Sequence, residues 1–286
     1  MAWGGVAGKR VVITGATSGI GLAAAGELGR RGADLAIVAR SEERARAAVA
    51  GFTAGARVDV LLADLSSLES VRSLASEINR RYARLEVLIN NAGAIFSDRE
   101  LTPEGIERTW ALNHLAPFLL TCLLLPLLQR SAPARVITTS SEAHRGAQLP
   151  LSDPVGAAGY GLMGFGAYGR SKLANILFTR ELARRCEGSG VEAYCFHPGF
   201  VASGFNRNNG SWMRLGMGLV RPFARSPEKG AETLVWLADV EDPEGRSGDY
   251  FVDLKPALPS PSGQDPAAAR RLWELSESQC GLDSVQ

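Results

Sequence analysis

"ITGATSGIGLAAAGELGRRGADLAIVAR", Ile13 to Arg40, decides the fold. It begins inside an apolar, β-branched run, Arg10–Thr14, and turns through Gly15, Gly19 and Gly21. Ile20, Leu22, Ala23 and Leu28 then recur at helical spacing until Gly32, and "DLAIVA" reads as a second buried strand. A strand that feeds a helix in this way brings the helix N-terminus to the strand's carboxyl edge. There the orphan N–H groups and the positive end of the helix dipole attract an anion. Glycines at the turn let a pyrophosphate approach the backbone and let helix and strand pack closely. The spacing is GxxxGxG rather than GxGxxG, but both place their glycines between strand and helix. The candidate contacts are Gly15, Thr17, Ser18, Gly19, Ile20 and Gly21. A tight turn with packing glycines would look the same, so the motif needs support from the rest of the chain.

The alternation continues outward from this unit. "SEERARAAVA" reads as a helix with Ser41 as N-cap and acids in its first turn. "RVDVLLADL" is a third strand, Ser67 to Arg81 a third helix and "LEVLIN" a fourth strand. A long helical stretch runs from about Pro103 to Arg130. "ARVITTS" and "VEAYCF" are further strands flanking a helix near Phe165–Glu187, and "GDYFVD" reads as a seventh strand. The pattern predicts an α/β fold: a single Rossmann-type, doubly wound parallel sheet of about seven strands with helices on both faces. All 286 residues read as one dinucleotide-binding and catalytic domain, with a core of about 8–255 and a C-terminal extension, 256–286. The extension opens with the Pro- and Ser-rich "KPALPSPSGQDP" and closes with a helix, Pro266 to Glu277.

Composition excludes several classes. A formal net charge of +1 gives no global attraction to nucleic acid or an anionic membrane. The cysteines, Cys122, Cys186, Cys195 and Cys280, form no CxxC pair, so neither a metal site nor a disulfide framework is assigned. No apolar stretch suited to a signal peptide opens the chain. "FLLTCLLLPLL", Phe118 to Leu128, is too short for a membrane span, is interrupted by Pro126, and reads as a buried or interface helix. The expectation is a cytoplasmic protein with reduced thiols.

Ligands in open α/β sheets bind outside the carboxyl ends of the strands. Arg40 stands at the tip of the second strand, where binders of NAD place an acid; a guanidinium there favours NADP, the expected cofactor in preference to NAD. Asp64 and Leu65 end the third strand, with Asp64 able to accept from an adenine amino group. Asn91, Ala92 and Gly93 follow the fourth, leaving room for a flat adenosine, and Ser140 and Ser141 follow the fifth.

"YGRSK", Tyr168 to Lys172, carries the chemistry. Positions i and i+4 share one helix face. A phenol titrates near 10, and an ammonium beside it favours the phenolate. The expectation is a Tyr168 made more acidic by Lys172.

The motifs TGxxxGxG, NNAG and YxxxK, with an asparagine and a serine between them, occur in this order across nearly the whole chain. Together they resemble the short-chain dehydrogenase/reductase family. "LNHLAPFLL", "TTSSEAHR", "YGRSKLANILFTRELARR", "FHPGFV" and "SPEKGAETLVWLA" are similar to its retinol dehydrogenase-like branch. The resemblance implies an NADP-dependent oxidoreductase. Tyr168 would be the general acid/base, and Lys172 would lower its pKa and hold the nicotinamide ribose. Ser141, the second serine of its pair, would bond the oxyanion, and Asn113 would position a water linking Lys172 to solvent. Pro198, Gly199 and Val201 would flank the nicotinamide, with Ser203 where a threonine is usual. It also implies assembly as a homodimer or homotetramer through the two long helices. The stretch between Ser141 and Tyr168 reads as a mobile wall of the site.

A lid of about 203–226, with Phe205, Trp212, Met213, Leu215, Met217, Leu219, Val220 and Phe223, suits a lipophilic carbonyl or alcohol. The alternative function is a regulatory protein that binds NADP without turnover. The complete Asn113–Ser141–Tyr168–Lys172 set argues against it. His114 and His144 suggest a triad with a serine, but no GxSxG elbow surrounds Ser140 or Ser141, so a serine–histidine triad is not expected.

Overall fold

Strand β1, Arg10–Thr14, lies at the centre of an eight-stranded sheet. The computed structural model describes residues 3–52, 57–150, 152–154, 160–201 and 224–282. Around β1 are β2 (Asp34–Ala39), β3 (Val58–Leu62), β4 (Val87–Asn90), β5 (Ala134–Thr139), β6 (Val191–His197), β7 (Tyr250–Val252) and β8 (Lys255–Ala257). The order is β3-β2-β1-β4-β5-β6-β7-β8, parallel throughout except for the final antiparallel pair. The direction of winding reverses between β1 and β4, which opens a crevice at their carboxyl ends.

The two-residue period of the strands builds a core on each face of the sheet. Val12, Val38, Leu88 and Val136 point to one side, where α3 (Leu68–Arg81), α4 (Arg108–Arg130), α5 (Phe165–Arg185) and α7 (Pro266–Cys280) cover them. Val11, Ile13, Ile37 and Ile89 point to the other, under α1 (Gly19–Arg30), α2 (Glu42–Ala50) and α6 (Pro227–Asp239). Each of these strand residues is at most 2% exposed, so the sheet is buried on both sides, as a parallel sheet requires.

The structure departs from expectation in four places. The segment after β7 is part of the sheet: Lys255–Ala257 pairs antiparallel with Tyr250–Val252. The long helix begins at Arg108 rather than near 103, and Ala111–Leu115 within it is a π-turn. Pro126 does not interrupt that helix. It sits on its exposed side, and Asn79 of α3 donates to the neighbouring Leu123 carbonyl at 3.2 Å. The C-terminal extension is core rather than appendage, since Trp273 of α7 packs on Phe118 and Phe178 at ring-centroid distances of 4.9 and 6.0 Å. By length and composition α4 is apolar enough to cross a membrane, but 72% of its most apolar window is buried inside the protein.

Candidate active site

The glycine turn after β1 is built for close approach. Gly15 has φ +68°, and a Cβ there would lie 2.8 Å from the Ala92 Cα. A Cβ on Gly21 would lie 2.3 Å from the Gly15 carbonyl oxygen, so only glycine lets α1 start this near the loop. We expect Gly21→Val to weaken binding of a dinucleotide at this turn at least about tenfold by pushing the loop outward; a fluorescence titration checks this.

Ser18 caps α1 without a side-chain hydrogen bond, whereas Ser41, Ser67 and Ser226 each accept from a backbone N–H of the helix they cap. The α1 terminus therefore fits a phosphate: its first N–H groups and the Ser18 and Thr17 hydroxyls border the turn. Thr14 and Asn91 hold this turn in shape. The Thr14 hydroxyl accepts from the Asn91 and Ala92 N–H groups at 3.0 Å each and donates to the Ile89 carbonyl. The Asn91 amide donates to the carbonyls of Thr14 (3.0 Å) and Gly15 (3.3 Å), so its side chain shapes the cradle.

At the other end of the crevice Arg40 is exposed, and its charge acts on Asp64. Burial pushes the Asp64 carboxyl up, but hydrogen bonds from the Ser66 hydroxyl and N–H, together with Arg40, bring it below the ordinary range. Leu65 is buried beside it.

Helix α5 supplies Tyr168 and Lys172 on one face. Lys172 is 2% exposed, and its Nζ lies 5.5 Å from the Tyr168 ring centroid. Nζ donates to the Thr139 carbonyl at 3.0 Å, and the Asn175 amide donates to that same oxygen at 3.2 Å. A Cβ on Gly93 would come within 3.3 Å of Nζ and 3.2 Å of the Asn113 Oδ1, so the bare glycine lets the backbone approach both polar atoms closely.

Asn113 lies in the π-turn of α4, wholly buried. Its Oδ1 accepts from the Ala94 N–H at 2.9 Å, and its amide donates to the Ala94 carbonyl and the Ser171 hydroxyl.

The two serines after β5 diverge. Ser140 is buried, and its hydroxyl donates to the Lys172 carbonyl at 2.8 Å. Ser141 caps the 3-10 turn Glu142–Gly146, and its hydroxyl is near enough to the Tyr168 phenol to favour the charged form. Gly169 lets this turn press on α5 beside Tyr168: a Cβ there would sit 2.9 Å from the Ala143 carbonyl. The turn is also tied down from outside. The Tyr250 hydroxyl donates to Glu142 at 3.0 Å, and the Glu142 N–H donates to His197 Nδ1 at 3.3 Å. The first part of the expected mobile wall is thus anchored.

Electrostatics corrects the expectation for the pair. Burial pushes the Tyr168 phenol up to about 12, with the Ser141 hydroxyl acting the other way. Burial likewise pulls the Lys172 ammonium down to about 8. For both groups burial is the largest cause, so the chain by itself favours the protonated phenol.

After β6, Gly199 adopts φ +79° beneath the Arg225 side chain, and Val201 bridges to Arg225. Val201 packs on Gly230 of α6, within reach of Ile20 of α1, so the limb carrying Pro198 ends against the glycine turn. Arg225 pairs with Asp253. Ser203 and the lid's apolar residues, Phe205 to Phe223, lie outside the described residues.

Neither histidine forms a dyad with a catalytic-type serine hydroxyl. His114 is buried against the Ser276 hydroxyl at 2.8 Å, and burial lowers its pKa to about 3. His144 meets the backbone carbonyl of Ser141, not its hydroxyl. Several contributors had little signal in the sequence: Thr14, Thr139, Ser171 and Asn175. Ser171 and Asn175 could have been found at positions i+3 and i+7 from Tyr168.

The family model described as short chain dehydrogenase matches residues 9–214. The chain belongs to the short-chain dehydrogenase/reductase family. It is 43% identical over 284 residues to retinol dehydrogenase 12 of Mus musculus, covering 98% of this chain and 88% of the relative. That places it in the retinol dehydrogenase-like branch, an oxidoreductase of CH–OH groups that uses a nicotinamide cofactor. A putative uncharacterized protein from Mycobacterium paratuberculosis superposes with TM-score 0.78 at 33% identity, covering 98% of each chain. The Pseudomonas aeruginosa RhlG/NADP active-site complex superposes with TM-score 0.70 at 30% identity, covering 88% of this chain and 96% of that one.

Proposed function

We propose that this dehydrogenase/reductase interconverts a lipophilic ketone or aldehyde and its alcohol with NADP(H), using Tyr168, Lys172, Ser141 and Asn113. The observation that carries the reading is the convergence of the Ser141 hydroxyl, the Tyr168 phenol and the buried Lys172 ammonium at the carboxyl edge of the sheet, beside the glycine turn.

A nicotinamide nucleotide would supply or accept the hydride. The turn from Gly15 to Gly21 and the α1 terminus would hold its phosphates. Arg40 would take the 2′-phosphate, Asp64 and Leu65 would border the adenine, and Ala92 and Gly93 would leave space for the adenosine half. Pro198, Gly199 and Val201 would border the nicotinamide, and Lys172 would bond its ribose. Ser141 donates to the substrate oxygen, and Tyr168 delivers the proton to it. Lys172, charged below about pH 8, stabilises the phenolate left behind. Asn113 keeps the π-turn docked on Ala94 and Ser171, beside Gly93 and the Lys172 Nζ.

A panel of lipophilic aldehydes and ketones assayed with NADPH and NADH tests the reading. Turnover with NADPH supports it; tight NADPH binding with no turnover across the panel rejects it. Arg40→Ala is expected to raise the NADPH Kd about tenfold and leave the NADH Kd unchanged, the cost of one charge-assisted contact. Equal losses for both nucleotides would remove Arg40 from 2′-phosphate recognition.

A further inference from the structure

His144 reaches the site from behind. It is wholly buried, one turn after Ser141, and both ring nitrogens are engaged. Nε2 accepts from the Ser260 N–H at 3.0 Å, so the neutral ring carries its proton on Nδ1. Nδ1–H accordingly donates to the Ser141 carbonyl at 2.7 Å. The Tyr250 ring packs edge-on against the imidazole at 5.2 Å. Burial lowers the His144 pKa, which keeps the ring in the neutral form this bonding needs.

Ser260 is itself fixed. Its hydroxyl accepts from the Gly263 N–H at 3.3 Å in the short turn Pro261–Gln264. Gly263 packs on Ile176 and Leu173 of α5, the helix that carries Tyr168 and Lys172. One residue beyond His144, Arg145 donates to the Leu258 carbonyl at 3.0 Å. The contacts form a closed circuit: α5 to the Pro261–Gln264 turn, to the Ser260 N–H, to His144, to the Ser141 backbone, and through the Ser141 hydroxyl to Tyr168 on α5. A hydroxyl that must meet a developing oxyanion gains from a peptide plane held on both sides.

We infer that His144 is a positioning residue that clamps the Ser141 backbone to the C-terminal segment at Ser260 and so aims the Ser141 hydroxyl at the substrate oxygen. The inference rests on the role proposed above for Ser141.

A double-mutant cycle tests it, with kcat measured on a carbonyl from the panel and normalised to NADPH-binding sites. His144→Phe leaves the Ser260 N–H without its acceptor and takes the imidazole donor from the Ser141 carbonyl, which keeps only the backbone N–H of residue 144 at 3.1 Å. It is expected to lower kcat about tenfold with the NADPH Kd unchanged. His144→Asn, whose amide nitrogen takes the place of Nδ1, is expected to restore kcat to within about twofold of wild type, whatever its Tm. In a Ser141→Ala background, His144→Phe should cause no further loss, because there is no hydroxyl left to aim. An equal loss in both backgrounds, or an Asn variant as slow as the Phe variant, overturns the inference. If Ser141→Ala alone leaves kcat unchanged, the role given to Ser141 fails and the inference falls with it. Should His144→Phe not fold, Ser260→Pro enters the same cycle. Ser260 has φ −58°, which proline adopts, and the change removes the N–H that His144 accepts. Its effect on kcat must likewise vanish without the Ser141 hydroxyl.

Discussion

Tyr168→Phe is expected to lower carbonyl reduction by about 10³-fold and to leave the NADPH Kd within about twofold, since general acid catalysis contributes typically 10²–10⁴. Burial pushes the phenol up to about 12, so it stays protonated at neutral pH and is a loaded acid for reduction. Alcohol oxidation needs the phenolate instead. Its rate should hold or climb with pH where that of reduction falls, which makes the ratio of the two directions a direct reading of the phenol. The variant keeps the ring and its burial and loses only the hydroxyl that meets Ser141. Ser141 still accepts from the Ala143 N–H at 3.3 Å, so the turn should stay in place. Stopped-flow single turnovers with NADPH give the measurement. A variant that reduces carbonyls at the wild-type rate would remove Tyr168 from the mechanism.

Lys172→Met is expected to cost at least about 100-fold in kcat and yet to raise Tm at pH 7 by about 4 °C. The two effects share a cause. Burial holds the ammonium at about 8 rather than 10.5, so the folded protein carries a charge it would shed more readily than the unfolded chain does. Between about pH 8 and 10.5 the unfolded chain keeps a proton that the folded chain has lost, so stability rises with pH through that window. Methionine removes the buried charge and, with it, this slope. It does not orphan the Thr139 carbonyl, which the Asn175 amide still meets at 3.2 Å. In the wild type, kcat/KM for reduction should fall as pH rises above about 8, where the ammonium that supports the phenolate is lost. Thermal melts at pH 7 and 9.5, with pH–rate profiles, check both claims. A variant both slow and markedly less stable would mean the ammonium holds the fold together rather than serving chemistry.

Period and punctuation were enough to read the central half of the sheet. Arg10–Thr14 and Asp34–Ala39 match to the residue, because both are continuous apolar runs bounded by glycine or charge. Ser41 caps where a serine before acids should, whereas Ser67, expected as the first helical residue, is itself the cap. Lys255–Ala257 was missed because a three-residue strand containing proline looks like a linker. The π-turn at Asn113 was also hidden, since a helix that is apolar on most sides gives no stripe whose shift would reveal the extra residue.

Within the site, Tyr168 and Lys172 were legible from their spacing, and the structure sets them on one helix face. The Thr139 carbonyl that receives Nζ was not, because a backbone acceptor has no residue type. Nor was the direction of the Tyr168 shift, which depends on how much water the packed crevice excludes. From the sequence His144 reads only as a candidate partner for a serine. Its contact with a carbonyl instead of a hydroxyl is a matter of tertiary position.

The antiparallel Lys255–Ala257 strand also governs how the molecule meets its own copies at high concentration. A bare Tyr250–Val252 margin would offer a ladder of unspent amides to any passing chain. The added strand covers that ladder and presents outward a lysine and a proline, one charged and the other unable to donate. The opposite margin, Val58–Leu62, carries Asp59, which is engaged by Arg10, Arg81 and Tyr82. Both borders of the sheet are therefore poor seeds for fibre growth, and the protein should stay dispersed where a sheet of this size with open borders would polymerise.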